Sequence, residues 1–241
     1  TEIYTLPYTT LFRSLADVDL LVVVRFTAEF AVWSSEDFAK YFLVGLLSAK
    51  SVTVGYDHGF GRNRSGSGKR LAELGLIHGF TVRVVEELRI NHGQVSSTRI
   101  RGLLKEGLIA EANVLLGAPY LLNGVVVEGR GLGRTLGFPT VNLRVSDSHK
   151  LLPRNGVYVA TTSLGGCCYR AMLNIGIRPT VSERRDRVVE AHILGCAALL
   201  YGRTLGFSLL VFVREERRFG SAEALRRQLE KDKKTVESFF K

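Results

Sequence analysis

Hydrophobic and polar positions change rhythm along this chain. Leu20 to Phe26 is a nearly unbroken apolar run of strand length, the pattern of a parallel strand covered on both faces. Ser34-Ser-Glu-Asp37 then offers a hydroxyl and acids for a helix start, and Phe38, Tyr41, Phe42 and Gly45 follow at helical spacing. Ser51 to Gly55 reads as a strand, Arg70 to Ile77 as a helix ending near Gly79, and Thr81 to Leu88 as another strand. Ser97 is placed as the cap of a helix to about Lys105, which Gly107 separates from a second helix, Ile109 to Leu116. This alternation predicts an open α/β sheet.

The rhythm changes near Gly117-Ala-Pro-Tyr120. Short strands with turn residues between them follow: Gly124 to Glu128, Gly156 to Thr162, Arg170 to Ile175, Val188 to Leu194 and Phe207 to Val213. That spacing predicts an antiparallel barrel or sandwich. A helix from about Ser221 closes the chain, with Leu225, Leu229 and Val236 on one face. The reading is two domains, residues 15–117 and 118–241. Residues 1–14, TEIYTLPYTTLFRS, have neither period; they resemble a translated sequencing-library adapter and are expected to be foreign to the protein.

Composition narrows the function classes. The 241 residues are 46% hydrophobic and 23% charged, a globular balance, and no apolar run approaches the length of a membrane-spanning helix. The three cysteines, Cys167, Cys168 and Cys196, fit neither a disulfide framework nor a zinc motif, which points to a reducing, cytoplasmic setting. The net charge of +10 is uneven: residues 118–241 hold 20 basic and 11 acidic side chains, against 12 and 11 in residues 15–117. Such a basic half is either plain solvated surface or the footprint of an anionic partner.

Candidate chemistry sits in four places. The glycine-rich stretch from Gly59 to Lys69 is not a P-loop, because Gly68-Lys69 is followed by Arg70 and Asn63 stands where the first glycine belongs. No complete G-x-G-x-x-G occurs around Gly129 to Gly133 either. Val95 to Arg101 puts hydroxyls and two arginines at a helix start, either an anion site or a cap with solvated arginines. Gly131 to Asn142 is the most informative stretch: Gly131, Gly133 and Gly137 allow close approach of backbone to a ligand. Pro139 fixes the chain before Thr140 and Asn142, whose alternation on an extended segment points both to one face. Their oxygens suit Mg2+ beside phosphate. Glu190 and His192 share one face of a strand, and the carboxylate is either a surface group or a general base. The five histidines lack metal-ligand spacing and read as structural or surface residues.

Taken in order, these motifs resemble the bacterial bifunctional riboflavin kinase/FAD synthetase (FMN adenylyltransferase) family. Gly131 to Asn142 matches the kinase's segment ending in Pro-Thr-x-Asn. Gly156-Val-Tyr158, Asn174 to Thr180, Glu190 to Ile193, Leu200-Tyr-Gly202 and Arg214 to Phe219 follow in the family's order. Upstream, Gly55 to Gly66 and Ser96 to Arg101 resemble adenylyltransferase motifs. The resemblance implies an incomplete Rossmann-like nucleotidyltransferase domain followed by a six-stranded antiparallel β-barrel kinase with a C-terminal helix. It implies ATP-dependent phosphorylation of riboflavin to FMN, with Mg2+ as cofactor. Thr140 and Asn142 would hold the metal and phosphates, with Gly131, Gly133, Arg134 and Gly137 around the nucleotide and Glu190 as base. Asp57, Ser97, Thr98 and Arg101 match nucleotide and flavin contacts of the other activity. The family's early Gly-x-Phe-Asp-x-x-His-x-Gly-His segment has no match here, so FMN adenylylation is expected to be absent or very weak. The partners expected are small molecules, with neither nucleic acid nor membrane. A basic β-barrel that binds nucleic acid, or a flavin-binding protein without turnover, are the alternatives.

Overall fold

A computed structural model describes residues 19–20, 22–91, 93–129, 131–177, 187–196 and 198–241. Residues 1–14 therefore lie outside the described residues. The chain divides into two compact units, one ending at Leu88 and the other beginning at Arg89.

In the first unit, Thr27 caps the short helix α1 (Ala28–Ala31). Ser34 caps α2 (Ser35–Asp37) in a reciprocal box: its hydroxyl accepts from the Asp37 N–H at 3.0 Å, and the Asp37 carboxylate accepts from the Ser34 N–H. The helix continues as a π-helix, Phe38–Leu46, burying Ala39, Phe42 and Leu43. Strands β1 (Ser51–Gly55) and β2 (Thr81–Val85) pair in parallel, and α3 (Gly68–His78) connects them and ends on Gly79 in the left-handed conformation. Leu71 and Leu74 of α3 join Phe42, Phe60 and Phe80 in the core. The apolar run at 20–26 differs from expectation: its described residues form no strand. A strand exists only through a hydrogen-bonded neighbour, and here Val22 and Val24 instead pack against this core.

The second unit begins with a small antiparallel pair, β3 (Arg89–Ile90) and β4 (Gly93–Gln94). Helix α4 (Ser97–Glu106) is capped by Ser96, whose hydroxyl accepts from the Arg99 N–H at 3.3 Å. Ser97 is thus the first helical residue rather than the cap. Helices α4 and α5 (Ile109–Leu116) belong to this unit: Leu104, Ile109 and Ala112 enter the barrel's core cluster, and Asn113 donates to the Leu209 carbonyl at 2.8 Å. The contact boundary therefore falls earlier than the change of sequence rhythm near residue 118.

Six strands close a barrel in the order β10-β5-β6-β9-β8-β7: β5 (Tyr120–Val127), β6 (Val141–Val145), β7 (Gly156–Leu164), β8 (Cys167–Ile177), β9 (Arg187–Ile193) and β10 (Thr204–Arg214). Every pairing is antiparallel. Alternation sorts the faces: Leu143, Leu173, Val189, Ala191, Ile193 and Phe207 fill the interior. Each such burial stabilises by about 1.5–3 kcal/mol for a large side chain. Burial pushes the Tyr120 phenol up to about 12, and its hydroxyl donates to the Leu151 carbonyl at 2.7 Å. Outside the barrel, helix α7 (Ala222–Phe239), capped by Ser221, lays Val236 and Leu229 against Val157, Val159 and Met172. The short helix α6 (Leu132–Thr135) lies in the glycine-rich segment before β6. Among the described residues, no helix is long and apolar enough to cross a membrane.

Candidate active site

Barrel register builds the site. Asn142 on β6 lies opposite Glu190 on β9, and Glu190 lies opposite Asn174 on β8. Asn174 in turn pairs with Val157 on β7, which pairs with Arg214 on β10. Residues opposed across a ladder share a face, so one rung carries Asn142, Glu190, Asn174 and Arg214 on the outer surface of the barrel. Their chain neighbours Leu143, Val189 and Leu173 point inward.

A cavity of about 260 Å³ opens beside this rung. Leu132, Leu136 and Phe138 of the glycine-rich segment form one apolar wall, and Leu225 and Leu229 of α7 another. Thr140, Asn174, Glu190, His192, Arg214 and Glu216 supply the polar groups. Thr140 also lines a smaller hollow bounded by Arg134, Cys196, Leu199 and Tyr201. Asn142 lines a third, with Glu128, Arg144, Lys150 and Arg187. Thr140 and Glu190 therefore meet in one cavity, and Asn142 is the cross-strand neighbour of Glu190. Thr140 directly precedes Val141, which pairs with Ala191, so it stands next to the rung that carries Asn142 and Glu190.

The glycines earn their places by geometry. Gly131 and Gly137 adopt the left-handed conformation, at φ of 70° and 82°, to turn the chain into and out of α6. A Cβ on Gly133 would sit 2.3 Å from the Phe138 carbonyl oxygen and 3.2 Å from the Thr140 hydroxyl. Gly133→Ala must therefore push the backbone that carries Thr140, at a cost of about 1–3 kcal/mol. The expected outcome is a lower thermal unfolding midpoint in circular dichroism. Gly129 leaves room for Asn142, whose amide nitrogen would be 1.9 Å from a Cβ there.

The contacts of several residues around the cavity are not legible in the motifs. Arg214 donates to both carboxylate oxygens of Asp232 on α7, at 3.0 Å from Nε and 2.6 Å from Nη2. Asp232 is 1% exposed and also accepts from Gln228 at 2.6 Å. Glu216 accepts from the Ile177 N–H at 3.3 Å. His192, read from sequence as structural or surface, is buried against the cavity, and the signal for it was its shared face with Glu190. Burial raises the Tyr158 phenol well above its ordinary value, and its hydroxyl donates to the Arg154 carbonyl.

The upstream residues are not among those that line this cavity. Asp57 is exposed in the first unit, and its backbone carbonyl accepts from Arg64 at 3.1 Å. Ser97, Thr98 and Arg101 are exposed on α4. Arg99 is committed to the β3–β4 pair, donating to the carbonyls of Ile90 and Gln94 at 3.2 Å each, so the two arginines do not act together there.

Comparison with known proteins fits this architecture. The family model described as riboflavin kinase matches residues 116–240, and that described as FAD synthetase matches residues 8–99. A bifunctional riboflavin kinase/FMN adenylyltransferase of Listeria monocytogenes is 35% identical over 223 residues, 92% of this chain and 70% of that one. The chain belongs to the bifunctional riboflavin kinase/FMN adenylyltransferase family. The Escherichia coli K12 member is 37% identical over 231 residues, 95% of this chain and 73% of its own length. A crystal structure described as a macrolide-efflux protein from Streptococcus pneumoniae superposes with a TM-score of 0.85 at 30% identity, covering 96% of this chain and 74% of that one. The barrel with its C-terminal helix is the riboflavin kinase domain of this family member, and the FAD synthetase match covers the parallel-stranded unit.

Proposed function

We propose that the barrel transfers the γ-phosphoryl group of ATP to the 5′-hydroxyl of riboflavin, with Glu190 as general base. The observation that carries this reading is the meeting of Glu190 and Thr140 in one amphipathic cavity, with Thr140 shared by the hollow next door. The larger cavity has apolar walls on two sides, which suits a flavin ring, and its one carboxylate on the central rung is Glu190. The neighbouring hollow, of about 60 Å³ with Arg134 at its edge, has room only for the phosphate end of the nucleotide. Thr140 then stands where the two substrates meet.

The residues fit a divalent cation of the Mg2+ kind. The Thr140 hydroxyl and the Asn142 amide oxygen are hard oxygen donors, too few for a complete protein cage but matched to an ion that keeps waters and phosphate oxygens. Among the described residues no cluster of three or more His, Cys, Asp or Glu stands ready for a metal, so the nucleotide must bring most of the ligands. When bound, the ion neutralises charge on the phosphates. Glu190 takes the hydroxyl proton, the ribityl oxygen forms its bond to the γ-phosphorus, and the bond from that phosphorus to the bridging oxygen of ADP breaks. Little covalent help is needed beyond position and charge.

Asn142→Ala should weaken nucleotide–metal binding by roughly ten- to a hundredfold, because a bond to a charged group contributes about 1.5–3 kcal/mol. Titrating Mg2+ at fixed ATP measures it. The test of the kinase reading is riboflavin-dependent release of ADP. A folded protein that releases none, yet binds oligonucleotides with a steep salt dependence, would favour the nucleic-acid alternative.

A further inference from the structure

His192 is two residues beyond Glu190 on β9, is 9% exposed, and lines the same cavity. Its Nδ1 lies 2.8 Å from the carbonyl oxygen of Pro139. A carbonyl oxygen only accepts, so Nδ1 carries the hydrogen of this bond. The Phe138 ring stands edge-on to the imidazole with centroids 5.3 Å apart, which fixes the ring's tilt.

The position of this bond gives it consequence. The β6–β9 ladder begins at Val141 opposite Ala191. Before that point the segment has left α6, and the Phe138 N–H is already used by the Gly133 carbonyl at 2.8 Å. Proline has no N–H to offer. The Pro139 carbonyl is thus the group through which strand β9 holds the peptide leading into Thr140. That peptide orients Thr140, which lines both cavities.

We propose that His192 is a positioning residue for phosphoryl transfer: by donating from Nδ1 to the Pro139 carbonyl, it sets the Thr140 hydroxyl at the junction of the nucleotide and flavin cavities. This rests on the proposed kinase reading. It assigns His192 no proton transfer with substrate, which is left to Glu190. A displacement of about 1 Å at a reacting group can cost a hundredfold, so a tether one peptide away from Thr140 is within range to matter.

The test uses three variants of the full chain. In His192→Asn the amide nitrogen occupies the place of Nδ1 and can still donate to Pro139. In His192→Gln the amide nitrogen lies further out, where Nε2 was, and His192→Leu has no donor. Binding of a non-hydrolysable ATP analogue with Mg2+ is measured by calorimetry, riboflavin binding by fluorescence quenching, and turnover by FMN formation. The Leu and Gln variants should weaken analogue binding and kcat/KM for ATP by about tenfold or more, and by clearly more than they weaken riboflavin binding. The Asn variant should keep most of both. In the wild-type protein, nitrogen-15 shifts should show the His192 Nδ1 protonated. The proposal fails if Asn is as impaired as Leu, if Leu is unimpaired, or if riboflavin affinity falls in step with that for the analogue. Should Leu not fold, the Asn and Gln pair decides, and equal behaviour of those two overturns it. A wild-type protein that makes no FMN refutes the kinase reading instead.

Discussion

Glu190→Gln should lower kcat for riboflavin phosphorylation by about 10²–10⁴-fold, the usual contribution of a positioned general base. Glutamine keeps the size and the oxygen of the side chain but cannot take a proton. Glu190 sits in the centre of the rung, between Asn142 and Asn174, so the substitution leaves a polar residue between polar neighbours and should preserve the barrel. Riboflavin affinity should change little, because the walls formed by Phe138, Leu225 and Leu229 are untouched. A steady-state assay paired with flavin fluorescence quenching separates the two effects. Loss of turnover with retained binding is the signature of a base; loss of both would make Glu190 a binding group.

Asp232→Ala should destabilise the second unit by about 3–5 kcal/mol, because it leaves a buried guanidinium without its partner. The Arg214 side chain is 19% exposed and that of Asp232 only 2%, so water does little to screen the pair. The pair joins the end of β10 to the middle of α7, and α7 carries the Leu225 and Leu229 wall of the cavity. Riboflavin affinity should therefore fall along with stability, unlike the result for Glu190→Gln. Replacing both partners at once, Arg214→Met with Asp232→Leu, should recover most of the stability, since no charge is then stranded. Urea unfolding followed by circular dichroism measures each variant. A single variant as stable as the wild type would show that the pair is solvated and unimportant.

How much the sequence revealed depended on the range of the interactions involved. Ser34, Gly79 and Ser221 act on residues three or four positions away, and each starts or stops its helix as local chemistry predicts. Glu190 and His192 alternate with buried Val189, Ala191 and Ile193, so the outward face of β9 was legible from period two alone. The run at 20–26 misled because an apolar strand pattern says nothing about whether a neighbour is there to bond to it. Ser96 and Ser97 differ by one position, and only the backbone decides which hydroxyl meets the orphan N–H. Arg214 and Asp232 are 18 residues apart with no local pattern linking them, and only the packing of α7 onto the barrel brings them together. The contact between His192 and Pro139 spans 53 residues and depends on barrel closure.

The most direct measurement is one incubation of the full chain with riboflavin, ATP and Mg2+, run beside its Glu190→Gln variant, followed by chromatographic separation of riboflavin, FMN and FAD. The wild-type protein should convert riboflavin to FMN with matching formation of ADP, and the variant should leave riboflavin unconverted while still quenching its fluorescence. Folded wild-type protein that forms no FMN, or a variant that forms it as fast as the wild type, would contradict the account.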